Sequence, residues 1–120
     1  MNAVFRYGTW LLGLGLIALG VGALLLPGPS SEAYGVPTSE VTWVAATGCR
    51  DLALGIAVLL LVEKQPDALR WLLPPAFLLP AVDAVLVVMA GRPWLNTFPH
   101  VSGAIVIGVL GVLAWRQRQL

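Results

Sequence analysis

Residues 41–62 read VTWVAATGCRDLALGIAVLLLV, and this stretch decides how the whole chain is read. At 1.5 Å per residue the run is long enough to cross a hydrocarbon core of ~30 Å. Arg50 and Asp51 stand side by side near its centre. A charge at that depth costs about 2.5–3.5 kcal/mol even on lenient insertion scales. Groups that bear such a cost face a bundle interior, are paired with one another, and mark a functional centre by default.

Working outward, three more apolar runs flank this one, and the expected spans are 9–26, 41–62, 71–90 and 99–115. Of the 120 residues 58% are hydrophobic and 11% charged. A soluble domain carries about 25% charged residues, so this chain lacks the polar surface to coat itself. The fold class is therefore an all-α membrane protein, a single domain over 1–120 forming a four-transmembrane-helix bundle. The net charge of +1 gives no case for nucleic acid as a partner, and the lone Cys49 excludes an intramolecular disulfide. The sequence contains no metal-ligand cluster and no phosphate-binding loop, so neither a metal nor a cofactor is expected.

The first span, Thr9–Leu26, follows Arg6 and ends at Pro27-Gly28-Pro29. A signal peptide would show the same order, but the run exceeds the usual 7–15 residues and lacks a clear cleavage site, so it reads as a retained helix. Its glycines Gly13, Gly15, Gly20 and Gly22, with the Ala18/Gly22 pair, suit close helix packing. The segment Pro27–Glu40 reads as a polar loop holding Glu32, Tyr34 and Glu40. In the third span, Pro74 and Pro75 fit a first helical turn, whereas Pro80 removes an interior backbone bond about one turn before Asp83. The fourth span offers Ala104 and Gly108 as a small-residue face.

Two patterns support this division. All five tryptophans (Trp10, Trp43, Trp71, Trp94, Trp115) fall at expected span ends, as interfacial belts require. Arg6, Lys64, Arg70, Arg116 and Arg118 collect on one side and Arg92 alone on the other. The positive-inside rule then places both termini in the cytoplasm; the expected location is the cell's inner (plasma) membrane.

This topology brings the polar residues to similar depths. Arg50 lies about 14 Å below the outer end of its helix and Asp83 about 10 Å below its own. Thr47 shares a face with Arg50 and Asp51. His100 enters from the outer end of the last helix, and Tyr34 stands in the loop above. One pocket is expected in the outer half, with Asp51, Asp83 and His100 as proton-moving groups and Arg50, Thr47 and Tyr34 as ligand contacts. Arg50 keeps its charge and would meet an oxyanion or carboxylate. A salt-bridge cluster that only fixes helix register competes with this reading. Cys49 reads as a packed, inert thiol.

Gly35-Val36-Pro37, Gly48-Cys49-Arg50-Asp51-Leu52 with Gly55, Pro80-Ala81-Val82-Asp83 and His100-Val101-Ser102-Gly103 occur in an order that resembles a family of small four-helix bacterial and fungal membrane proteins. That family is classed as a domain of unknown function and is loosely similar to the DoxX-like group. The resemblance implies four helices around an Arg, Asp, Asp and His centre, and no established activity. The expected function is an enzyme or binding protein for a lipophilic small molecule, working by cofactor-independent acid–base chemistry such as isomerisation, cyclisation or hydrolysis. The alternatives are a small-molecule or proton-coupled transporter and an accessory subunit of a larger membrane complex. Small multidrug exporters match the size alone, because their essential carboxylate lies in the first helix, which has none here. A homodimer is compatible with so small a core.

Overall fold

The structure is a computed structural model describing residues 1–34 and 41–117; Gly35-Val36-Pro37, Glu40 and Arg118 lie outside the described residues. Its long helices are α1 (Ala3–Leu25), α3 (Val41–Lys64), α4 (Leu69–Met89) and α5 (Phe98–Arg116), with a short α2 (Pro27–Tyr34) after α1. Four helical segments are long and apolar enough to cross a membrane, which makes the chain a multi-pass membrane protein. The four long helices alternate in direction, so both termini lie at one end, called here the terminal end; α2 lies at the distal end.

Local chemistry explains the helix boundaries. Asn2 caps α1 by accepting a hydrogen bond from the Val4 N–H at 2.8 Å, so the helix starts at Ala3, a turn and a half before the expected Thr9. Trp10 accordingly lies inside α1 rather than at its end; its indole donates to Glu63 at 2.8 Å, near the end of α3. Residues 27–34, expected as loop, form α2 instead. Pro27 and Pro29 sit in its first turn, where a missing N–H is harmless. Pro74 and Pro75 do not share that position, because α4 already begins at Leu69. Together with Pro80 they leave the carbonyls of Arg70, Trp71 and Ala76 without their usual helical donors. A membrane helix tolerates this where protein or water receives the freed groups.

The bundle is two antiparallel pairs, α1 with α3 and α4 with α5, with far less contact between the pairs than within them. The first pair closes on a glycine seam of heptad spacing, Gly13 opposite Gly55 and Gly20 opposite Gly48. A Cβ at Gly20 would lie 2.5 Å from the Gly48 carbonyl oxygen, and one at Gly55 would lie 2.7 Å from that of Gly13. Only glycine allows the backbones this close. Gly15 and the Ala18/Gly22 pair, expected in the packing face, are outside the seam: Gly15 has open space where its Cβ would be, and Gly22 has only Ser30 at 3.9 Å. The second pair packs at ordinary distances, with Leu73 against Gly111, Phe77 against Gly108 and Pro80 against Gly103.

The two pairs meet at the terminal end in an apolar core of Phe5, Val58, Val62, Leu69, Leu73 and Leu110. At the distal end a smaller cluster joins Ala23, Tyr34 and Val44. The pairs part between these clusters, and the charged residues stand there.

Candidate functional site

Arg50, placed on α3 with its side chain 32% exposed, reaches α4 and donates from Nη2 to Asp83 Oδ2 at 2.9 Å. The same guanidinium donates from Nε and Nη2 to Asp51 Oδ1, each at 3.3 Å. One arginine therefore holds both carboxylates, a pairing the sequence leaves open. The other oxygen of Asp51, Oδ2, accepts from the Tyr34 hydroxyl of α2 at 3.0 Å. His100, near the start of α5, has Nε2 at 3.0 Å from the Tyr34 carbonyl oxygen. That oxygen can only accept, so Nε2 carries the proton and donates. His100 Nδ1 then faces Asp83 Oδ2 at 3.9 Å, a buried His–Asp salt bridge whenever the ring is charged. The Tyr34 and His100 rings stack at 6.0 Å.

The polar groups thus form a closed ring, Tyr34–Asp51–Arg50–Asp83–His100 and back to Tyr34. It ties α2, α3, α4 and α5 together across the gap between the helix pairs. Burial and the adjacent Asp51 carboxylate push the Tyr34 phenol above its ordinary range, so it remains a donor. Asp51 is 6% exposed, with both oxygens engaged. Asp83 is more open, at 22% for its side chain. With His100 neutral, the ring's formal charges are one positive and two negative; one added proton balances them.

Two cavities flank the ring. The larger, about 770 Å³, runs between α1 and α5 and is lined mainly by apolar groups, with Tyr34, Arg50, Asp51, Asp83 and His100 on its wall. The smaller, about 530 Å³, lies between α3 and α4, with Trp43, Thr47 and Val87 on its wall beside Arg50, Asp83 and His100. Arg50, Asp83, His100 and Tyr34 line both.

Five of the six expected site residues come together in this ring. Thr47 is the exception: it lines the smaller cavity, and among the described residues it makes no side-chain hydrogen bond to the ring. Cys49 is exposed on the helix surface and is not packed as expected. No cluster of three or more His, Cys, Asp or Glu among the described residues is arranged to hold a metal ion. Sequence reasoning missed the contribution of α1, which has no ionisable residue in the site but forms a long wall of the larger cavity. Gly8, Gly15 and Gly22, all on that wall, show a heptad spacing in the sequence, but Gly13 and Gly20 share it, so it does not single the wall out.

The fold and the buried ring define a small multi-pass membrane protein built around an intramembrane ionisable centre. Residues 13–114 match the family model described as Domain of unknown function (DUF4267), and the chain belongs to that family. No curated protein and no solved structure matches the chain.

Proposed function

We propose that this protein binds a lipophilic small molecule in the larger cavity and works on its polar head by cofactor-independent acid–base chemistry. The observation that carries the reading is a largely apolar cavity of about 770 Å³ walled on one side by the ring of Arg50, Asp51, Asp83, His100 and Tyr34. Apolar walls with a few convergent polar groups are the usual form of a small-molecule site. Asp83 and His100 are the proton-moving pair of this proposal, since Asp83 is the more open carboxylate and faces a histidine. Asp51, expected to move protons as well, takes a positioning role that holds Arg50 and Tyr34. In an isomerisation, the proton released from a breaking C–H bond goes to Asp83 or His100 and returns to another atom, so no co-reactant is needed. Cyclisation and hydrolysis use the same pair, the latter with water as co-reactant.

The proposal includes the placement. Both termini lie in the cytoplasm, the ring lies in the outer half of the cell's inner membrane, and the charge bias of the loops supports this. It also includes a loose similarity to the DoxX-like group, from which no chemistry follows. Transport is less well supported, because Phe5, Val58, Val62, Leu69 and Leu73 pack the terminal half where a second opening would be needed. An accessory role that uses the Gly13/Gly20 face is also less well supported, since α3 already occupies that face.

Native mass spectrometry of the gently extracted protein beside Arg50→Ala and Asp83→Asn tests the proposal. A defined small-molecule adduct on the wild type, lost or weakened in both folded variants, is the expected result. Absence of any adduct across several lipid environments, with variants as well folded as the wild type, would remove the basis for it.

A further inference from the structure

The larger cavity has a shape and a charge that narrow its ligand. Its α1 wall carries Gly8, Gly15 and Gly22, two turns apart, over about 21 Å of helix. At Gly15 nothing lies within 4 Å of where a Cβ would stand. The missing side chains leave a groove along α1, closed at the terminal end where a Cβ on Gly8 would come within 2.9 Å of Leu110. Leu11 and Leu19, on the same wall, are 70% and 52% exposed, so the groove opens sideways toward the surface that bilayer chains surround. The opposite wall is Val106 and Ile107 of α5, and the ring stands at the distal end.

The ring has no spare positive charge. Arg50 uses Nε and Nη2 on Asp51 and Asp83, which leaves Nη1 as its remaining donor edge. An anionic head would approach two carboxylates through a guanidinium that they already neutralise. A cationic head would find both oxygens of Asp51 engaged and only Oδ1 of Asp83 open, and to reach it would have to come up beside the like-charged Arg50 guanidinium bound to Oδ2. A carbonyl or hydroxyl can accept from Nη1 and exchange a proton with Asp83 or His100 without adding charge to a site of low dielectric.

We infer that the ligand of this cleft is an uncharged, single-chain lipophile, with its carbonyl or hydroxyl head against Arg50 and the Asp83–His100 pair and its chain along Gly8, Gly15 and Gly22 of α1. This rests on the reading of the cavity as a lipophile site and names the class of molecule it takes.

The test is native mass spectrometry of the full chain in non-ionic micelles, titrated with cetyl alcohol, palmitate, cetylamine and octanol. Cetyl alcohol binds at least about tenfold tighter than palmitate or cetylamine. Gly15→Leu fills the groove from a position with open space beside it; it loses cetyl alcohol by about tenfold or more and keeps octanol. Val106→Trp blocks the same groove from α5 and gives the same pattern, so the result does not depend on the folding of one variant. Equal binding of palmitate or cetylamine overturns the uncharged head while leaving the cavity reading in place. Wild-type affinity for cetyl alcohol in both folded variants overturns the placement of the chain. Failure of every probe to bind the wild type overturns the cavity reading and this inference with it.

Discussion

Replacing Arg50 with alanine leaves Asp51 and Asp83 in the ring without their shared cation. Removing one partner of a buried ion pair costs about 3–5 kcal/mol because the other charge is left uncompensated. Here the arginine side chain is 32% exposed and that of Asp83 22%, so the surroundings recover part of that cost. Single polar contacts inside membrane proteins average only ~0.6 kcal/mol, because the unfolded chain in lipid also finds partners. For Arg50→Ala the expected loss is therefore about 2 kcal/mol, or about thirtyfold in the folding equilibrium. Asp83→Asn keeps a side chain of the same shape and leaves Arg50 paired with Asp51, so it costs about 1 kcal/mol. The double variant retains one carboxylate, still bonded by Tyr34. It should be more stable than the sum of the single losses by about 1 kcal/mol. Equilibrium unfolding with sodium dodecyl sulfate in mixed micelles, followed by tryptophan fluorescence, gives the three values. Additivity within about 0.3 kcal/mol would refute the ring as a coupled unit.

Four further outcomes follow from the same geometry. Gly20→Val forces α1 and α3 apart, since a Cβ there already falls 2.5 Å from the Gly48 carbonyl; it should cost about 1–3 kcal/mol or more by the same unfolding assay. Gly15→Ala, with open space beside it, should stay within about 0.5 kcal/mol of wild type. Tyr34→Phe removes the hydroxyl that donates to Asp51 and should cost about 1–2 kcal/mol at neutral pH. The folded phenol of Tyr34 ionises above its unfolded value of about 10, so its contribution is full below that pH and is lost as pH rises through the folded value. In a Tyr7→Phe background, tyrosinate absorbance from Tyr34 should therefore appear later in the native protein than in the unfolded one. Identical titration curves would contradict the buried hydrogen bond.

Much of the architecture was legible because membrane spans are written in composition. The apolar runs, the loop prolines and the sorting of basic residues divide the chain into four helices without reference to packing. The meeting of Arg50 with Asp83 was also legible, since antiparallel spans of known rise set both at similar depths. The pairing of helices was not. Helices apolar on all sides carry little amphipathic signal, so nothing distinguished the Gly13/Gly20 seam from the Gly8/Gly15/Gly22 wall on the same helix. That distinction depends on Gly48 and Gly55 lying opposite the first set. The short α2 was hidden by Pro27-Gly28-Pro29, which reads as loop punctuation although prolines also open helices. Tyr34 was expected beside the pocket for its side chain, whereas half of its part in the ring is a main-chain carbonyl that holds His100. No residue pattern announces a backbone acceptor.

The most direct measurement is photo-crosslinking in native membranes with a cetyl alcohol analogue that carries a diazirine at the far end of its chain. The central claim is that the chain lies between α1 and α5 with the head at the ring. Peptide mapping should then place the labels near Gly8, Leu11 and Leu12 of α1 and Ile107 of α5, and Gly15→Leu should reduce them. Labels spread evenly over the outward faces, on residues such as Val85, Val88, Ile105 and Val109, and unchanged in Gly15→Leu, would contradict the account.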